Sequence, residues 1–524
     1  MKLFSEVNFK SFCDFCKNNI PLLVIVTAAL FFCYGMKLFQ YSIGIDTELF
    51  MSDKADILEW SLQIGRFGLA CIQWLLYTKG FNPFIAFLGT FCLIWLFTIS
   101  WAYMIAIFSN NIEKNNALIF FALILITSPI WIEQFYFLHQ STAVALMVLI
   151  CPYTIYFLFK GFLDNEKNKV IVAFLLIILM TSVYQAMVPF FCCGVFICFI
   201  ILLKTSDLKP PIYRNLCLKL LATSIAAITA YFIIDRILIH FIFDIEKAQY
   251  LDNINQWGQR PIKENILRIF GFIGIISGLI IPQLQDTMNV LIPNTKSIKI
   301  MINKSNVFGN ILLLPTIIFF MIMVIKTRRN FLYILAGIFI PLSVMFLAIL
   351  GGNILPMRTM YVLPLAFAFM FFFLINTSSK KTAIVIIVFA IFTTIYQAQT
   401  TAQLLYSDQL RYNEDVRLAY EIRDSVINSE NLPVAIIGKY NVADKFHANF
   451  LKGDVIGHSF FEWGDYHELT NRSLDFMRTL GIQLACPSDE QFEKAKLEAH
   501  SMPSYPNSGF VRKLSDVIVI KLSE

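Results

Sequence analysis

The chain has 524 residues, 57% of them hydrophobic and only 15% charged, with a mean hydropathy of +0.66. Soluble globular proteins carry about a quarter charged residues, so a soluble globular fold is excluded, and 22 glycines and 18 prolines are too few for a fibrous or disordered chain. The formal charge of +6 is modest; membrane orientation accounts for it better than nucleic acid does, and no nucleic-acid partner is expected.

Apolar runs of roughly twenty residues recur along the chain and predict an all-α polytopic membrane protein. Lys2, Lys10 and Lys17 precede the first run, at about 21–39. That run is too long for a signal-peptide core and lacks a small-residue cleavage site, so it reads as an uncleaved first span. Further runs at 83–108, 117–135, 141–159, 170–183, 186–203, 220–243, 307–325, 331–350, 359–375 and 383–400 bring the expected total to eleven. Short basic connections (Lys160, Lys167, Lys169; Lys204, Lys209, Arg214, Lys219; Lys326, Arg328, Arg329; Lys380, Lys381) alternate with connections whose single basic residue is Arg358. Positive residues favour the cytoplasmic side, which puts the N-terminus inside and, after eleven spans, the tail outside. The apolar segment 266–283 would place Arg328 and Arg329 outside if it crossed, so it is expected to re-enter or lie in the interface.

Two outward segments are long, 40–82 and 244–306. The first mixes Trp60, Leu62, Ile64, Phe67, Ile72, Trp74 and Leu75 with polar residues, which suits helices lying in the membrane interface. From about Ser407 the composition turns polar. A helix over 408–428, a strand at 433–438, a helix at 488–500 and a final strand at 516–522 predict a small α/β domain. The expected division is a membrane domain, 1–405, and an extracytoplasmic α/β domain, 406–524. Of the 11 cysteines, ten lie in or beside apolar segments. Cys13 and Cys16 form one C-x-x-C with no second pair, so reduced, lipid-buried thiols are expected rather than zinc. No repeat at a fixed period is visible.

Charge near the membrane is densest in the first outward loop, at Asp46, Glu48, Asp53, Asp56, Glu59 and Arg66. Asp46-Thr47-Glu48 follows the first span directly, where a carboxylate is costly and points to function; Asp53 and Asp56 read equally well as solvated acids. Sugar transfer from a lipid phosphate to a hydroxyl needs a general base on the acceptor. It needs no strong acid, because the phosphate leaves as an anion, but it needs cations to hold that anion. Arg66, Arg260 and Arg358 are the outward candidates for that role, and Arg358 reads equally as a snorkelling interfacial residue. His139 and Gln140, at a span mouth, would bind sugar hydroxyls or simply cap the span. In the tail, His458, Glu462, Asp465, His467 and Glu468 match no metal-ligand spacing and read as a solvated loop. Phe460, Phe461 and Trp463 suit stacking on a sugar or the membrane interface. No cofactor is expected, with a divalent ion at Asp46 and Glu48 left open.

An opening span followed by Tyr41-Ser42-Ile43-Gly44-Ile45-Asp46-Thr47-Glu48 and Gly65-Arg66-Phe67 resembles the bacterial O-antigen glucosyltransferase family, the type II glucosyl transferases. Tyr184-Gln185-Ala186, Pro356-Met357-Arg358 and Met502-Pro503-Ser504-Tyr505-Pro506 before the Val-Ile-Val-Ile strand extend the resemblance over essentially the whole chain. His139-Gln140-Ser141 stands where the family commonly has an outward aspartate. The resemblance implies a GT-C-like, multi-pass enzyme of the bacterial cytoplasmic membrane that moves glucose from undecaprenyl-phosphate-glucose to a cell-surface polysaccharide such as O-antigen. Asp46-x-Glu48 matches the family's acidic pair, giving Asp46 the role of base with Glu48 in support, and Tyr184 and Gln185 match its Tyr-Gln pair. Neighbouring carboxylates repel, and desolvation adds to that, so one of the two is expected to hold its proton more tightly. A transporter or flippase, or a polymerase or ligase of lipid-linked glycans, is the alternative; Asp235 and Arg236 within a span speak for transport.

Overall fold

The computed structural model describes all residues except 1–5, 53, 79, 111–114, 207, 247, 249–256, 279–305, 328–329, 427–431, 447–449 and 465–466. Each of the eleven apolar runs carries a helix. Among the described residues six helices are long and apolar enough to cross a bilayer: Pro83–Phe108, Leu138–Leu163, Met187–Thr205, Pro210–Phe243, Phe331–Gly351 and the first part of Lys380–Val426. A seventh span forms if Phe9–Asn18 and Ile20–Tyr34, which meet at 86°, are counted together. The other four runs are shorter helices, Asn116–Thr127, Lys167–Val183, Leu313–Thr327 and Val362–Thr377. Length alone therefore gives fewer crossings than the eleven expected. The chain is nonetheless a mostly helical, multi-pass membrane protein.

Pro83–Phe108 starts where its sequence says it should. Pro83 takes the first helical position, and the Asn82 side chain accepts from the Phe84 and Ile85 N–H groups, covering donors that a helix start leaves open. Its 26 residues span about 39 Å, enough for a hydrocarbon layer of about 30 Å.

The third run, expected at 117–135, stops at Thr127 because Ser128-Pro129 cannot continue it. The freed carbonyls are satisfied inside the protein. Trp131 Nε1 donates to Leu125 O (2.7 Å), Tyr34 Oη to Ile126 O (2.7 Å) and Thr401 Oγ1 to Thr127 O (2.9 Å). Non-helical backbone survives near a bilayer only with such partners. The break is followed by a short helix, Ile130–Phe135, and then by Tyr136, Phe137, His139 and Gln140 facing the 40–82 segment.

Lys380–Val426 is a single helix of 47 residues, about 70 Å long. No glycine or proline interrupts 400–407, so the polar helix expected from 408 is the continuation of the last span, and no break falls at residue 405. Beyond it lies a three-stranded sheet of order β1-β3-β2, with β1 Val434–Ile437 parallel to β3 Ile518–Lys521 and β2 Val511–Lys513 antiparallel to it. Strand alternation sends Val434, Ile436, Ile518 and Ile520 into the main core, while Ala435 and Val519 pack with Phe492 and Ala495 of helix Asp489–Ala499. Segment 40–82 folds into Thr47–Ser52, Lys54–Gln63 and Phe67–Leu76, with Trp74 and Leu75 exposed. Of segment 244–306 the described residues include helix Ile262–Ile276; the expected re-entrant stretch lies partly outside the described residues.

Candidate active site

A cavity of about 350 Å³ opens where the loop after the first apolar run, the mouth of Leu138–Leu163, the 351–358 loop and the tail converge. Asp46, Arg66, His139, Gln140, Tyr184 and Arg358 all line it, so six of the nine residues singled out in the sequence share one wall-to-wall space. Trp60, Trp463, Glu468 and Arg472 complete its polar and aromatic lining. Gln185 stands just outside as a support, Glu48 is buried below, and Arg260 lies elsewhere, 3.8 Å from Glu264.

Arg66 is built into place by neutral groups. Its Nη1 donates to Gln140 Oε1 (3.2 Å), its Nε donates to Gln185 Oε1 (3.3 Å), and its guanidinium lies 4.4 Å from the centroid of the Tyr184 ring. Gln185 is itself pinned, donating to Ile64 O (2.9 Å) and to Tyr231 Oη (3.1 Å). Gly65 precedes Arg66 with φ +73, and a Cβ there would come within 2.9 Å of Tyr231 Oη; only glycine meets both demands. The Tyr184-Gln185 pair thus explains itself, one residue supplying a π-face and the next a hydrogen-bond fork. No carboxylate pairs with Arg66 among the described residues.

Arg358 stands on the 3₁₀ turn Met357–Thr359 after Pro356. The turn is fixed from the tail, where Asp454 Oδ2 accepts from the Met357 N–H (2.5 Å). Its guanidinium lies 5.2 Å from the Phe137 ring centroid, and it makes no hydrogen bond or ion pair among the described residues. Two arginines, Arg66 held by a ring and two amides and Arg358 lying against a ring, face one cavity without a direct ion pair among the described residues; the buried Glu133 carboxyl acts on Arg358 electrostatically. A guanidinium on an aromatic face keeps its donors for a planar or tetrahedral anion.

Asp46 reaches the cavity through unusual backbone. Its φ is +69, a region in which aspartate is among the few tolerated side chains. Gly44, two residues earlier, touches Tyr136 so closely that a Cβ would lie 2.6 Å from the Tyr136 carbonyl oxygen. Glu48 follows on helix Thr47–Ser52, fully buried. Arg472 Nη1 donates to both, to Asp46 Oδ1 at 3.1 Å and to Glu48 Oε1. Burial pushes the Glu48 carboxyl up to about 8 despite Arg472, with Asp46 pushing the same way. Its Oε2 has no partner among the described residues.

A divalent ion does not fit this pair well: one arginine nitrogen already sits against both carboxylates. Among the described residues no three His, Cys, Asp or Glu side chains gather as metal ligands. In the tail, Glu462 pairs with Lys452 and His458, His467 with Asp489, and Glu468 with Arg472; Asp465 lies outside the described residues, as do Asp53 and the side chain of Asp56. Phe460 stacks on Phe476 at 4.2 Å in the interior, so of the three tail aromatics only Trp463 reaches the cavity.

Sequence reasoning missed Arg472. It sits in an ordinary amphipathic helix, His467–Thr479, and only its distance from Asp46 in space, not any motif, marks it.

Apolar helices long enough to cross a bilayer and a cavity lined by two cations and a carboxylate suit a membrane-bound group transferase. The family model described as glucosyl transferase GtrII matches residues 35–375, and the chain belongs to that family. It is thus a membrane glycosyltransferase. The matched stretch contains Asp46, Glu48, Arg66, His139, Gln140, Tyr184, Gln185 and Arg358 but ends before Trp463 and Arg472. Comparison with curated proteins gave no match.

Proposed function

We propose that the enzyme transfers glucose from undecaprenyl-phosphate-glucose to a hydroxyl of a cell-surface glycan such as O-antigen, at the outer face of the bacterial cytoplasmic membrane, with the N-terminus inside and the tail outside. The observation that carries this reading is the pair Arg66 and Arg358, without a direct ion pair among the described residues and sharing one cavity with Asp46. The arginines hold the phosphate that bears the sugar and stabilise it as it leaves. Asp46 accepts the acceptor hydroxyl's proton while that oxygen bonds to the anomeric carbon and the carbon–phosphate-oxygen bond breaks on the opposite face, which inverts the configuration. His139, Gln140 and the two tryptophans offer hydroxyl and ring-face contacts for the sugar. No metal takes part. The outward tail supports transfer over transport, since the cavity wall is completed by it.

The test is purified protein in liposomes, given synthetic undecaprenyl-phosphate-glucose and an O-antigen acceptor. Glucose appearing on the acceptor with inverted configuration, unaffected by chelator, is the expected result. Donor crossing the bilayer without transfer would favour the flippase reading, and lengthening of the glycan would favour a polymerase.

A further inference from the structure

We propose that Arg472 is a positioning residue for glucosyl transfer, holding Asp46 at the cavity wall so that the site is complete only when the tail has docked. The proposal rests on the role given to Asp46 above. Thr47–Ser52 is a helix of only 6 residues, too short to be stable by itself, and Asp46 enters it through left-handed backbone. Phe50 packs the helix's apolar side against Tyr77, Phe81 and His139, whereas the side chain that holds the Asp46 and Glu48 carboxyls comes from outside the family-matched stretch.

Arg472 Nη1 bridges Asp46 and Glu48, and Nη2 lies 3.7 Å from Glu468. The arginine is anchored by its own helix. Thr470 Oγ1 donates to Ile436 O of β1 (3.0 Å) and accepts from the Ile436 N–H (3.1 Å), while Ser473 Oγ donates to Phe460 O (3.0 Å). The sheet, the helix and the first loop are therefore linked through one side chain. Arg411 and Arg472 are the two buried arginines among the described residues, and only Arg472 lines the cavity.

The charges also balance. With Glu48 protonated near neutral pH, Arg472 and Asp46 form a one-to-one pair, and Glu468, largely exposed, is screened by water. Arg472 leaves Asp46 one oxygen free to take a proton while fixing where the other points.

The experiment uses the full chain in liposomes with Arg472→Lys, Arg472→Met and the double variant Arg472→Met with Glu48→Gln. It reads transfer kinetics, their pH dependence and amide hydrogen exchange over 46–50. In Arg472→Met, kcat should fall about a hundredfold, as for a misplaced base, with donor KM little changed. Exchange over 46–50 should rise about tenfold. The acidic limb of the rate profile should move to higher pH, because the cation facing Asp46 and Glu48 is gone while Glu468 and His139 remain. Arg472→Lys should recover part of each.

Wild-type kinetics and exchange in Arg472→Met would overturn the proposal. Should that variant fail to fold, the double variant, which also replaces the buried Glu48 carboxyl that has lost its donor, decides: a folded but slow enzyme supports positioning, and full activity shows that Arg472 serves only to satisfy the Glu48 carboxyl. If the wild-type protein transfers no glucose at all, the glucosyl reading fails, and the exchange data alone still decide whether Arg472 holds the loop.

Discussion

Two arginine sites in this molecule use the same side chain for opposite ends. Arg411, with no exposed surface, is saturated: it pairs with Asp408 and Asp415 (3.1 Å) and donates to Ile43 O (2.8 Å) and to Tyr136 Oη (2.8 Å). Asp415 in turn accepts from Ser459 Oγ (2.5 Å) and the Phe460 N–H (3.2 Å), and Asp408 from Ser42 Oγ (2.9 Å), with Lys37 at 3.5 Å. One cluster thus joins the first loop, the turn at 136, the long helix and the tail. Arg66 is held by a ring and two amides and Arg358 lies against a ring, and both enter the cavity without a direct ion pair among the described residues. A buried charge that is fully paired builds the scaffold; a partly exposed one that is positioned yet unpaired waits for a ligand.

That contrast is sharpened most by removing the carboxylate that shares the cavity with Arg66 and Arg358. Asp46→Asn keeps size and polarity but cannot accept a proton, so transfer should fall about a hundred- to ten-thousand-fold with donor binding intact. A wild-type rate in purified Asp46→Asn would place the base elsewhere.

Arg411→Met should act on the fold instead. It strands Asp408 and Asp415 in the interior, a loss of about 3–5 kcal/mol, seen as a lowered thermal midpoint in detergent. Whatever fraction remains folded should bind donor normally. If donor affinity collapses while stability holds, the saturated cluster is not a scaffold and the comparison breaks.

Arg358→Ala should do the reverse, leaving stability unchanged while weakening donor use about ten- to a hundredfold, the worth of one charge-assisted hydrogen bond. Arg358→Lys should fall between, since it keeps charge and loses the fork. Wild-type turnover in both would return Arg358 to interfacial snorkelling.

The smallest effect concerns Glu48. Its carboxyl is raised by burial to about 8 in the folded protein against about 4.3 unfolded, so the folded state binds the proton more tightly. The stabilisation is fully present below the unfolded value and is lost as pH rises through about 8. The thermal midpoint should therefore drop by several degrees from about pH 6 to about pH 9, and Glu48→Gln should flatten that slope. An unchanged slope in the variant would assign the pH dependence to other groups.

The membrane class, the eleven helical runs and much of the polar lining of the cavity could be read from the sequence, because each is a local property. Twenty apolar residues must be helical in lipid, a carboxylate just past a span is costly enough to stand out, and a lone arginine in a loop is visible by its isolation. The sequence was also sufficient to bring Asp46, Arg66, His139, Gln140, Tyr184 and Arg358 under suspicion one at a time. Tertiary structure alone decided which of them meet. Arg260 is the same residue type as Arg358 and is expected on the same side, yet it lies beside Glu264 and does not line the cavity. Glu48 differs from Asp46 by two positions, but one turn of a short helix buries it. The third run reads as one span until the carbonyls at its broken end find Tyr34 and Thr401, from two other helices. Arg472 is 424 residues from Glu48; an arginine in an amphipathic helix has no local signature of its partner, since ion pairing depends on distance in space and the sequence records only distance along the chain.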